Sequence, residues 1–191
     1  MWDSLAETAD PGHLQRVLEA VAGAAPRCGA TTVVAIDGPS GSGKSTLALA
    51  LASALDCALV RMDDFYPGWD GLVEGIALLT EHILGPLCRG EDASVPTWDW
   101  VASRPAGPLL IAHADLLLID GVGSSVGAAG RSAALRIWVE APRALRRARA
   151  IARDGDGYAP FWDRWAAQEQ AVFAADETRS RADIVIDTSD L

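Results

Sequence analysis

Short apolar runs of strand length alternate along the chain with longer amphipathic stretches. TTVVAID (31–37), CALVRM (57–62), ADLLLIDG (114–121), LRIWVE (135–140) and ADIVID (182–187) are apolar and rich in Val, Ile and Leu, and Gly38 and Pro39 end the first of them. HLQRVLEAVAGA (13–24) places apolar residues at 14, 17, 18 and 21, the repeat of a helix with one buried face. Further helices are predicted over 45–55, 72–84, 142–154 with Pro142 at its start, and about 160–178. Strand, glycine-rich turn, helix and strand in that order form a βαβ unit, which predicts an α/β fold of three layers, helices on both faces of a mainly parallel sheet. Residues 63–108, rich in Gly, Pro and Trp, read as irregular outside the 72–84 helix, the kind of stretch in which functional loops concentrate. No internal repeat is visible, and 191 residues suit one domain, with 1–30 as an N-terminal helical extension.

Composition narrows the partners. A net charge of −10 is the wrong sign for a phosphate backbone, so nucleic acid is not an expected partner. Cys28, Cys57 and Cys88 are odd in number and widely spaced, which predicts reduced, mostly buried thiols, and the three histidines are too scattered for a zinc site. The N-terminus lacks a basic segment followed by an apolar one, and no apolar run reaches membrane-spanning length, so a cytoplasmic protein without a membrane partner is expected.

Residues Gly38-Pro-Ser-Gly-Ser-Gly43-Lys44-Ser45 complete the pattern G-x-x-x-x-G-K-[ST], after a strand and at the start of a helix. Gly38, Gly41 and Gly43 let the backbone curl with its N–H groups inward, Ser40, Ser42 and Thr46 complete the loop, and the helix adds the positive end of its dipole. Lys44 is the only lysine among 16 basic residues. A compact ammonium on a flexible stem fits between phosphate oxygens inside a tight loop where a planar guanidinium is bulky. The motif predicts a P-loop NTPase fold with its loop strand central in the sheet, Lys44 on the β and γ phosphates of ATP, and Ser45 on Mg²⁺.

Four further groups bear on the chemistry. Asp63 and Asp64 follow a strand end, where ligands of parallel sheets lie, and one could accept a proton from an acceptor hydroxyl; Asp63 is also a candidate metal ligand. Asp120 closes the strand LLLID and suits Mg²⁺. Arg146, Arg149 and Arg153 recur at i, i+3 and i+7 on one helix face, with Arg143 and Arg147 beside them, and could close over a transferring phosphoryl group or form a solvated basic face. Trp98, Asp99, Trp100 and Arg104 fall in a predicted loop, suited to stacking on a planar or ribose-bearing acceptor or to packing beneath the loop.

From about residue 31 onward the chain resembles the uridine kinase and phosphoribulokinase-like branch of P-loop kinases. Asp63-Asp64-Phe65-Tyr66 resembles that family's Asp-Ser-Phe-Tyr stretch, which implies Asp63 as base and Tyr66 near the acceptor. By the same resemblance Asp70 would grip ribose hydroxyls, and Pro96-Thr97-Trp98-Asp99-Trp100 looks like the family's Pro-x-Tyr-Asp-Phe. Asp120-Gly121 resembles its Glu-Gly pair, and Arg146, Arg149 and Arg153 its lid arginines, with Arg153 toward the nucleotide. The chain lacks the histidine that follows Tyr-Asp-Phe in uridine kinases. The resemblance implies an ATP- and Mg²⁺-dependent phosphotransferase acting on a hydroxyl of a small, nucleoside-like acceptor. An ATP-binding switch, or a degenerate kinase serving as a partner-binding module, remains open. Asp120-Gly-Val-Gly123 fits the D-x-x-G of GTPase switches, but no Asn-Lys-x-Asp is present to read guanine.

Overall fold

In the computed structural model, which describes residues 9–190, helix α1 (Pro11–Ala22) precedes strand β1 (Thr32–Asp37), the glycine loop and α2 (Lys44–Leu55). Positions 1–8 of the expected N-terminal extension lie outside the described residues. Strands β2 (Ala58–Arg61), β5 (Leu116–Asp120), β6 (Leu135–Glu140) and β7 (Ile184–Asp187) join β1 in one sheet of order β2-β5-β1-β6-β7, every pair parallel. The loop strand is central, as the motif predicts.

The near-continuous apolar character of β1 follows from burial on both faces. Val34 and Ile36 pack with Val17, Leu47 and Leu51 under α1 and α2, while Val33 and Ala35 point into a second core with Leu72, Leu79, Trp162 and Trp165. That second layer is built from α3 (Leu72–Leu78), which continues through a π-helical stretch (Leu79–Leu84) into α4 (Gly85–Cys88), and from α7 (Trp162–Asp176). The helices α5 (Gly127–Ser132) and α6 (Arg143–Asp154) precede and follow β6 in the chain.

Two expectations are corrected. The stretch 63–108 is not irregular beyond its helix: β3 (Ala93–Asp99) and β4 (Arg104–Ile111) form an antiparallel ribbon apart from the main sheet. Its prolines and a register shift between Pro96 and Trp98 hid the alternation that marks a strand, and an isolated ribbon tolerates prolines that a central strand does not. Cys28 and Cys88 are joined in a disulfide, not held as separate reduced thiols, and Cys57 remains free. The bridge links the segment before β1 to the end of α4, a proximity created by packing between positions 60 residues apart. Among the described residues no helix is long and apolar enough to cross a membrane.

Candidate active site

Parallel pairing lines up the carboxyl ends of β2, β5 and β1. Asp120 lies level with Arg61 on one side and Ile36 on the other, so Asp63, Asp120 and the glycine loop share one edge of the sheet. The loop leaves β1 through Gly38 at φ 136°, where a Cβ would lie 2.1 Å from the Val139 carbonyl oxygen, so no other residue fits that approach. Lys44 opens α2, is 7% exposed, and donates from Nζ to the Pro39 carbonyl at 3.1 Å.

A cavity of about 390 Å³ opens at this edge. Ser40, Gly41, Lys44, Ser45, Asp63, Asp120 and Arg153 form its polar end, and Tyr66, Trp69, Trp100, Tyr158, Phe161 and Trp165 an aromatic wall. Trp69 is the centre of that wall: it stacks on Phe161 (centroids 4.6 Å, planes at 7°) and on Tyr158 (5.2 Å, 12°), and contacts Trp100 and Trp165. Tyr66 is buried and donates to the Val122 carbonyl at 2.7 Å, which fixes its ring against the loop after β5; burial, then the charge of Asp63, pushes its hydroxyl well above the ordinary tyrosine value.

The sequence-model of the cytidylate kinase family matches residues 34–94, from within β1 to the start of β3. A tRNA dimethylallyltransferase from Pseudarthrobacter chlorophenolicus is 35% identical over 111 residues, 53% of this chain; the match spans only 36% of that relative's length. Among solved structures, a possible uridine kinase from Bacillus stearothermophilus superposes with a TM-score of 0.65 at 18% identity, covering 92% of this chain and 98% of that one. A candidate fructose transport system kinase from Silicibacter sp. TM1040 gives 0.53 at 24% identity, over 91% and 97% of the two chains. The chain has the fold of the P-loop kinases.

Within this kinase fold Asp120 is buried at the carboxyl end of β5. Burial pushes its carboxyl up from the ordinary range, against the Lys44 charge and a hydrogen bond with the Ser45 hydroxyl, while Oδ1 is buried without a hydrogen-bond partner among the described residues. An orphaned carboxylate oxygen beside a hydroxyl and an ammonium fits Mg²⁺, which takes one or two protein oxygens and completes its octahedron with water and phosphate. Asp63 lies in a 3₁₀ turn (Met62–Asp64) whose carbonyl accepts from Trp100 Nε1 at 2.8 Å, so the hairpin tip holds the turn against the cavity. Asp64 is exposed and is not part of the cavity wall.

The other expected site residues divide. Arg153 is in the cavity wall and pairs with Asp154. Arg146 and Arg149 are not: Arg146 donates to the carbonyls of Ala141 and Ser40 and lies over the Trp162 ring, and Arg149 donates to Thr188 Oγ1 and its carbonyl. Thr188 Oγ1 in turn donates to Ser42 O at 2.8 Å, so both arginines brace the phosphate loop from outside the cavity. Gly38, Ser42, Gly43 and Thr46 shape the loop without lining the cavity. Asp70, Trp98, Asp99 and Arg104 are also off its wall. Asp70 is exposed and pairs with Arg164; Trp98 packs near Gly68; Asp99 accepts from the Val101 and Ala102 amides; Arg104 is exposed where β4 begins. The hairpin turns directly after Asp99, and so Trp100, not Trp98, reaches the cavity.

Two buried acids escaped the sequence reading. Asp37, fully buried at the end of β1, accepts from Gly38 N (2.7 Å), Gly123 N, Ser125 N and Ser125 Oγ (each 2.8 Å), joining the phosphate loop to the turn after Asp120. Burial pushes its carboxyl up, against the four donors that hold the ionised form. Its signal was an acid closing an apolar strand, the same signal that marked Asp120. Glu169 on α7, 3% exposed, accepts from Ser40 N at 2.8 Å and had no local signal. The aromatic wall did have one: Tyr158, Phe161 and Trp165 recur at i, i+3 and i+7.

Proposed function

We propose that the protein is a phosphotransferase that moves the γ-phosphoryl group of ATP to a hydroxyl of a small molecule carrying a planar ring, a nucleoside-like acceptor. The observation that carries this reading is the shared cavity: the phosphate loop, two strand-end acids and the aromatic wall face one space large enough for a small acceptor beside a triphosphate terminus. In this reading Lys44 and the loop amides bind and orient the β and γ phosphates. Ser45 and Asp120 hold Mg²⁺, which supplies charge neutralisation on the phosphates. Asp63 accepts the proton of the acceptor hydroxyl as its oxygen bonds to the γ-phosphorus and the bond from that phosphorus to the β-phosphate oxygen breaks. Arg153 offsets charge on the transferring group. Trp100 and Tyr158 pack on the acceptor ring, Trp69 holds them in place, and together they exclude water. Prenyl transfer to tRNA, the activity in the curated relative's name, is disfavoured because a net charge of −10 repels a nucleic acid.

The test is ADP release from MgATP with purified protein across nucleosides, sugars, sugar phosphates and pantothenate. One acceptor should raise turnover well above a Lys44→Ala blank, and Asp63→Asn should cut that turnover by about 100-fold or more while sparing ATP binding. Bound ATP with no turnover on any acceptor would reject the transferase reading in favour of a nucleotide-binding module.

A further inference from the structure

The two peptide units that flank the Ser40 Cα are each held by a side chain from α6 or α7. The Ser40 N–H donates to Glu169 Oε1 at 2.8 Å and the Ser40 carbonyl accepts from Arg146 Nη1 at 3.0 Å. Glu169 Oε2 and Arg146 Nη1 are 3.9 Å apart, so the two clamps form an ion pair with 3% and 12% of their side chains exposed. The next residue, Gly41, has φ 76°, and a Cβ there would lie 2.2 Å from the Arg146 carbonyl oxygen, so α6 backbone packs directly on the loop. Ser40 lines the cavity and Glu169 does not, so the carboxylate reaches the loop from behind, where it competes with no phosphate oxygen. A buried carboxylate is unfavourable unless its partners are well placed, and here the partners are the Ser40 amide and Arg146.

Glu169 also sits one helical turn from Trp165, and both are buried on the same face of α7. Trp165 belongs to the aromatic wall and packs edge-on against Tyr66 and Trp69. Tyr158, another part of that wall, lines the same cavity as Ser40 and stacks on Trp69. The backbone of Ser40 in the phosphate loop is thus tied to the aromatic wall through Glu169 and Trp165 of α7.

We infer that Glu169 is a positioning residue: with Arg146 it sets the orientation of the two peptides flanking Ser40, and so the direction of the loop amides that follow, and links phosphate binding to the position of the aromatic wall. This rests on the nucleotide-binding reading of the loop. Occupation of the loop by a triphosphate should therefore steady α7, although the one cavity-lining residue of that helix, Trp165, belongs to the aromatic wall. Thermodynamic reciprocity requires that an acceptor steadying α7 tighten MgATP binding by the same factor.

The experiment has two arms. In calorimetric titration with MgATP, Glu169→Ala should raise Kd by about tenfold or more, because both the amide acceptor and the ion pair are lost, while Glu169→Gln, which keeps an oxygen for Ser40 N–H, should stay within about threefold of wild type. A role confined to fold stability would lower the unfolding midpoint of both variants and leave Kd unchanged. In the second arm, hydrogen exchange of the unmodified protein is followed with and without MgATP, which also decides the matter if Glu169→Ala does not fold. Slowed exchange in both 38–46 and 166–176 is expected. Slowed exchange in 38–46 alone, or a Glu169→Ala Kd within about twofold of wild type, overturns the inference and leaves nucleotide binding intact. No change in 38–46 overturns both.

Discussion

Asp37→Asn keeps the shape of the side chain and replaces one carboxylate oxygen by an amino group. In the native site each oxygen receives two donors, Gly38 N and Gly123 N on Oδ1, Ser125 N and Ser125 Oγ on Oδ2. Whichever way the amide turns, one pair of donors faces an N–H. With the amide oxygen toward Gly38 and Gly123, the Ser125 hydroxyl can rotate to accept, but the Ser125 N–H is left buried without an acceptor. Losing a charge-assisted bond and stranding that donor should cost about 3–5 kcal/mol, a large part of the 5–15 kcal/mol that holds a typical domain folded. Urea unfolding followed by tryptophan fluorescence should show the midpoint falling by about 1–2 M at unchanged slope. Ser125→Ala, which removes only the hydroxyl donor, should cost about 1 kcal/mol. An Asp37→Asn midpoint within about 0.2 M of wild type would refute the reasoning, since it would mean that the four donors are satisfied without the carboxylate.

Three other predictions concern different parts of the molecule. Trp69→Ala should raise KM for the acceptor found in the kinase panel by about tenfold or more and leave KM for ATP within about twofold, because Trp69 belongs to the aromatic wall and not to the phosphate end; equal changes in both would place the acceptor elsewhere. Reducing the Cys28–Cys88 bridge, which closes a span of 60 residues, should lower the unfolding free energy by up to about 4 kcal/mol, measured in urea with and without dithiothreitol; an unchanged midpoint would contradict it. Arg136 holds the Asp183 carboxyl below its ordinary value of 3.8 through paired hydrogen bonds, so this contribution is present above that pH and is lost as pH falls through the folded-state value. Arg136→Ala should thus be less stable than wild type at about pH 6, with the difference shrinking toward about pH 2.5 in thermal melts; a constant difference would rule out the linkage.

The local chemistry of the chain determined a good deal by itself. A buried parallel strand must be apolar on both faces, so β1 and β5 stood out as apolar runs whose one charge is the closing acid, and the glycines, Lys44 and Ser45 announced their loop because phosphate binding needs those residue types in a fixed order. Asp63 and Asp120 were legible for the related reason that a carboxylate at a strand end is conspicuous after an apolar run. Contacts made across the sequence were not legible. The register of β2, β5 and β1 decided that Asp63, Asp120 and Lys44 share one cavity; the turn after Asp99 decided that Trp100 enters it while Trp98 stays outside. Arg146 and Arg149 have the spacing of a lid, yet their partners Ser40 and Thr188 lie 106 and 39 residues away, and only packing of α6 on the loop turns the arginines to brace it from behind. The same holds for Cys28 with Cys88 and for Glu169 with Ser40: residue type and periodicity describe what a segment can bury, while the partner it meets is fixed only when the layers close around the sheet.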